Sequence, residues 1–137
     1  TPEQFAKAIE EFERVVEEAA GTQWAARAQV AIGSLYGIQK RYGEAREAYA
    51  LVLQNYNKHK ELCLTARFAI AKTFEVEGDF EQIVATYQDI ADHHSFTRMG
   101  LQAPLLIAQL YRKRGEAERS TKAYERAAKA YGDRIKS

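Results

Sequence analysis

One pattern recurs three times at an almost fixed interval: Gln29-x-x-Ile32-Gly33-x-x-Tyr36, Arg67-x-x-Ile70-Ala71-x-x-Phe74 and Pro104-x-x-Ile107-Ala108-x-x-Tyr111. A second pattern follows each copy, as Ala45-x-x-x-Tyr49, Ile83-x-x-x-Tyr87 and Ser120-x-x-x-Tyr124, and stands alone once at Ala8-x-x-x-Phe12. Its aromatic positions are 37, 38 and 37 residues apart. A period of that size marks a supersecondary unit that cannot bury its own apolar face and must stack on its neighbours. From the Ile of the first pattern to the small position of the second the distance is always 13 residues. Variation in unit length therefore belongs where one unit passes to the next. Stacks of this kind build binding surfaces, so the repeat argues for a scaffold before any side chain argues for chemistry.

The spacing predicts seven helices and no strands. Thr1-Pro2-Glu3-Gln4 reads as an N-cap, a proline at the first helical position and a Gln closing a capping box. Phe5, Ala8, Ile9, Phe12, Val15, Val16 and Ala19 follow at helical spacing until Gly21 stops the helix and Thr22 offers the next cap. A second helix is expected over 23–39, with Arg41-Tyr42-Gly43 turning the chain, then others over 42–56, 61–77, 79–93, 98–114 and 116–131. Gly78-Asp79 and Gly115-Glu116 read as tight turns. Turns of two or three residues inside each unit force antiparallel hairpins. No segment alternates β-branched residues with period two.

Composition narrows the function classes. Lys plus Arg number 20 against 19 for Asp plus Glu, so net charge gives no footprint for nucleic acid. Cys63 is the only cysteine, which excludes an intrachain disulfide and a multi-cysteine metal site. Its setting, Leu62-Cys63-Leu64, favours a small buried apolar residue over a reactive thiol. No run approaches the roughly 20 apolar residues that span a bilayer, and no signal peptide is present. The chain opens on Thr1 rather than Met, as expected of a processed piece or a part of a longer protein. Two prolines and no Ser/Gly-rich tract leave no flexible linker. The expectation is one domain over 1–137, made of a half unit (1–21) and three full units (22–59, 60–96 and 97–137).

The two patterns together resemble the tetratricopeptide repeat: a large residue, a small residue after an aliphatic one, an aromatic, then Ala-x-x-x-Phe. The resemblance covers nearly the whole chain and implies an all-α fold, a right-handed superhelix of antiparallel helix hairpins. It places Gly33, Ala71, Ala108 and Ala45 where two helices cross closely, and Tyr36, Phe74, Tyr111, Tyr49, Tyr87 and Tyr124 between adjacent hairpins. The units depart from the 34-residue family period. Asn57, Ser95 and Gly132 replace the closing proline, and Ile83 and Ser120 replace the usual Ala, Ile83 straining the close crossing. Longer units with Tyr56, His94 and Tyr131 near the end of the second helix are similar to bacterial envelope factors, the TolA-binding periplasmic factor and the outer-membrane assembly lipoprotein. That implies a periplasmic or envelope-associated location, with the cytoplasm as the alternative.

Catalytic and metal chemistry find little support. His93 and His94 are adjacent and do not share a helix face, and His59 lies in a different loop. A solvated helix end is expected for the pair. Glu10, Glu11, Glu13, Glu17 and Glu18 fall on the polar face of the opening helix, where none is desolvated as a catalytic acid must be. No catalytic residue, cofactor or metal ligand is assigned. The resemblance implies a concave wall of first-helix residues: Arg27, Val30, Ser34, Thr65, Phe68, Lys72, Gln102, Leu105, Gln109 and Arg112. Arg27, Lys72 and Arg112 have no acidic neighbour within that set, so the wall leans positive and suits a protein or peptide partner with acidic and apolar side chains. The carboxylate clamp of chaperone-binding members is absent, since its places hold Val30, Ser34, Ala69, Gln102 and Leu106. The reading is a non-enzymatic interaction scaffold with no nucleic acid and no membrane span. The alternative is an oligomerisation or structural segment of a larger repeat protein that self-associates through its terminal helices.

Overall fold

In the computed structural model, which describes residues 1–136, the chain is all-α, with seven helices and no strand among the described residues. They are α1 (Pro2–Glu18), α2 (Gln23–Ile38), α3 (Tyr42–Asn55), α4 (Lys60–Glu77), α5 (Phe80–His93), α6 (Arg98–Lys113) and α7 (Ala117–Lys136). The chain forms two compact units, Thr1–Glu77 with α1 to α4 and a second beginning at Gly78 with α5 to α7.

The ends of the helices follow the local chemistry. Thr1 accepts from the Gln4 amide while the Gln4 side chain answers the Thr1 nitrogen, so the capping box forms over Pro2. Thr22 and Thr97 cap α2 and α6, and Asp79 caps α5. Gly78 and Gly115 take positive φ just beyond α4 and α6. After α2 that conformation falls to Lys40, at φ 62°, and Gly43 lies inside α3. The turn expected at Arg41-Tyr42-Gly43 is therefore made one step earlier, by a residue that tolerates the left-handed region poorly. The last helix also runs past its expected end at residue 131, through Gly132 to Lys136.

In the first unit, α1 packs on α2, α2 on α3, and α4 on both α2 and α3. Ile9, Ile32 and Ala48 form one buried cluster with Phe12, Val16, Leu35 and Tyr36 against it. Ala45, Tyr49, Val52, Cys63 and Ala66 form another. Gly33 sits at a close crossing: a Cβ there would lie 2.5 Å from Cε1 of Tyr49. The buried Gln29 side chain donates to the Ala48 carbonyl at 3.1 Å, tying α2 to α3. The Cys63 thiol is buried and donates to the Tyr56 carbonyl, and burial pushes its pKa up, with Arg67 and Lys60 pulling the other way.

The second unit packs α6 between α5 and α7. Ile83, Tyr87, Ile90, Ala103, Ile107, Ala108, Ala123 and Ala127 are buried. Ser120, at the place of the usual alanine, is buried and donates to the Ala108 carbonyl at 3.1 Å. His94 departs from the solvated helix end expected of the pair: it is 4% exposed, while His93 is exposed. Gly100 explains why. A Cβ at Gly100 would fall 1.8 Å from the His94 carbonyl oxygen, so α6 runs against the backbone that ends α5 and closes over His94. Of the aromatics expected between hairpins, Tyr49 and Tyr87 are buried, but Tyr36, Phe74, Tyr111 and Tyr124 are half-buried. The first three lie beneath guanidinium groups, of Arg41, Arg46 and Arg119 respectively.

Candidate partner-binding surface

The expected surface residues occupy one turn after another of the first helices. On α2, Arg27, Val30 and Ser34 stand three and four residues apart, which puts them in one row. On α4, Thr65, Phe68 and Lys72 repeat that spacing. The two helices touch within the first unit. On α6, in the second unit, Gln102, Leu105, Gln109 and Arg112 make the corresponding row. Each row has the same texture: polar or charged members exposed, and Val30, Phe68 and Leu105 half-buried between them.

Several of these side chains are held in place. Ser34 Oγ lies 3.3 Å from the Tyr49 hydroxyl, and Thr65 donates to the Glu61 carbonyl at 3.0 Å. The Arg27 guanidinium lies 5.8 Å from the Trp24 ring centre, and Lys72 Nζ lies 5.0 Å from that of Phe68. Lys72 is also 3.3 Å from Glu75 Oε2, a residue outside the expected set, so its charge is partly compensated. The side chains of both are about a third exposed or more, and such a pair contributes little to stability.

Two cavities carry residues that repeat spacing could not reveal. One, of about 230 Å3, opens in the first unit between Gln23, Arg27, His59, Lys60, Glu61 and Leu62. The other, of about 360 Å3, lies in the second unit and has Ala91, Leu101, Pro104, Ala130 and Tyr131 in its wall, with Phe96 80% exposed beside it. Loop residues such as His59 and Phe96 fall outside the repeated pattern. The only sequence signal for the first cavity is Trp24, an aromatic one turn before Arg27 that the repeat does not require. Among the described residues no group of three or more His, Cys, Asp or Glu is placed to hold a metal ion. No described helix is long and apolar enough to cross a membrane.

The fold defines a helical-repeat module built of antiparallel helix hairpins. The tetratricopeptide repeat family matches residues 26–59, which take in most of α2, all of α3 and the loop before α4. The chain is similar in fold to a crystal structure of nearly identical TPR-like repeats from a Podosopora anserina protein assigned as a kinesin light chain. The TM-score is 0.59 at 17% identity over 99% of this chain and 71% of that one. No curated protein sequence matches the chain.

Proposed function

We propose that this protein is a non-enzymatic interaction scaffold that binds an extended or helical peptide with acidic and apolar side chains on the exposed faces of its first helices. The observation that carries this reading is the shared texture of the α2, α4 and α6 rows. Val30, Phe68 and Leu105 are half-buried in rows that also hold Arg27, Lys72 and Arg112. Apolar seats among bases suit a partner that offers both carboxylates and aliphatic groups. Glu3, Glu10, Glu11, Glu13 and Glu17 on α1, and Lys122, Glu125 and Lys129 on α7, are exposed, and such charged faces weigh against the alternative of assembly through them. A bacterial envelope location belongs to the same reading and rests on the longer units with Tyr56, His94 and Tyr131 near the second-helix ends.

Affinity capture from the source organism, run beside the triple variant Arg27→Glu, Lys72→Glu, Arg112→Glu, tests it. The parent should retain a partner that the variant loses while its helical circular dichroism is unchanged. Raising salt should weaken the parent complex, because exposed charges are screened within about 10 Å. Loss of capture through substitutions on α3 or α5 instead, with the triple variant binding normally, would move the interface to the second-helix face.

A further inference from the structure

A cleft in the first unit lies on the side of α2 away from the row of Arg27, Val30 and Ser34. Gln29, Ile32 and Tyr36 line it, each two residues after a member of that row, which is about 200° around the helix. Both α1 and α3 pack on α2, so α2 is the floor, with Glu13 of α1 on one wall and Glu44, Glu47 and Leu51 of α3 on the other. We propose that this cleft binds a linear aliphatic diamine, its methylene chain over Ile32 and Leu51 and its two ammonium groups at Glu13 on one wall and Glu47 on the other. The site is separate from the peptide surface described above, and either can fail without the other.

The first ground is how the charge is spread. Three carboxylates line the cleft and no lysine or arginine does. Arg41, outside it, pairs with Glu44, its Nε 2.7 Å from Oε1, whereas Glu13 and Glu47 make no ion pair among the described residues. The three carboxylates are not grouped closely enough to hold a metal ion. Uncompensated charge divided between two walls calls for a ligand with two separated cations, since a single ammonium satisfies one wall and leaves the other. The second ground is the floor. Ile32 is buried, Tyr36 is half-buried and Leu51 is 40% exposed, so the strip between the carboxylates is apolar and suits methylene groups rather than a hydrated ion. The third ground is an acceptor without a donor. Gln29 is 6% exposed and its Nε2 donates to the Ala48 carbonyl, which leaves Oε1 as the amide's open acceptor. No described group donates to that oxygen, and it is not sealed off. An acceptor with so little access to water gains from an ammonium N–H that enters the cleft. A volume of about 220 Å3 takes such a chain and excludes a folded surface.

The test titrates the whole chain, labelled with 15N, with diaminopentane carrying an amine at each end, with pentylamine, with doubly blocked lysine and with magnesium chloride. The diamine should shift the amide signals of Glu13, Gln29, Ile32 and Leu51 and saturate. Pentylamine and blocked lysine should bind about two- to fivefold more weakly, the scale of one exposed charge contact. Magnesium should leave those signals unmoved. Glu13→Gln and Glu47→Gln should each bring the affinity for the diamine down to that for pentylamine, because each removes one of the two seats. Blocked lysine that binds as tightly as the diamine would show that the cleft reads a single cation, and the proposal would fall. It falls equally if magnesium reproduces the shifts, if both Gln variants bind the diamine as the parent does, or if the shifts lie outside α1, α2 and α3.

Discussion

Gly33 and Gly37 lie one turn apart on α2 and differ in what an added methyl group meets, which makes them a matched pair. Alanine is favoured over glycine in a helix interior by about 1 kcal/mol, so both substitutions should stabilise if nothing else intervenes. Nothing lies within 4 Å of a Cβ at Gly37, and Gly37→Ala should gain about 0.5–1 kcal/mol. A Cβ at Gly33 would lie 2.5, 2.7 and 2.8 Å from three ring atoms of Tyr49. That is about 1 Å inside ordinary carbon contact. The ring is 5% exposed, belongs to the cluster with Val52 and Ala66, and has its hydroxyl 3.3 Å from Ser34, so it has little room to give. Overpacking of this kind costs about 1–3 kcal/mol, which offsets or exceeds the propensity gain. Gly33→Ala should therefore be less stable than Gly37→Ala by about 1–3 kcal/mol, and Gly33→Leu less stable than the parent by a similar amount. Urea unfolding followed by circular dichroism measures the differences. Adding Tyr49→Leu should remove most of the penalty at position 33, because the clash is with the ring. If Gly33→Ala and Gly37→Ala agree within about 0.3 kcal/mol, the crossing of α2 and α3 is not as close as described.

Three further outcomes follow from the packing. Gly100→Ala should destabilise the second unit by more than about 3 kcal/mol, because its Cβ meets the His94 backbone carbonyl at 1.8 Å and a main chain cannot step aside as a side chain can; native urea unfolding would contradict this. Cys63 should alkylate slowly in the folded protein near pH 8 and rapidly once urea unfolds it, because burial favours the neutral thiol. The raised folded-state pKa also fixes a sign. The stabilising contribution is complete below the unfolded thiol's value and fades as pH rises through the folded one, so the stability gap between the parent and Cys63→Ala should shrink from about pH 7 to about pH 10.

The helices, their caps and the small residues at crossings were legible because they are set by neighbours within four residues or by a repeat that brings equivalent positions into equivalent places. Thr1, Pro2 and Gln4 closed their capping box, and Ala45, Ala71 and Ala108 proved fully buried. Position along a helix dictates face, and the members of the proposed rows on α2, α4 and α6 are exposed or half-buried.

Other features depended on which backbone met which. Gly132 reads as a stop, yet α7 continues, and its Tyr131 hydroxyl donates to the Leu101 carbonyl while Arg134 donates to the Ser95 carbonyl. Those bonds join residues 30 and 39 positions apart, beyond the reach of any local rule. His94 looked like a polar helix end until α6 closed over it at Gly100. His59 and Arg27 are 32 residues apart, and nothing in their spacing marks them as neighbours. The sequence by itself determined the elements and the face each presents, since periodicity and capping are local. Only the tertiary structure decided which polar groups are buried and which cations share a cleft, since those depend on how closely two backbones approach.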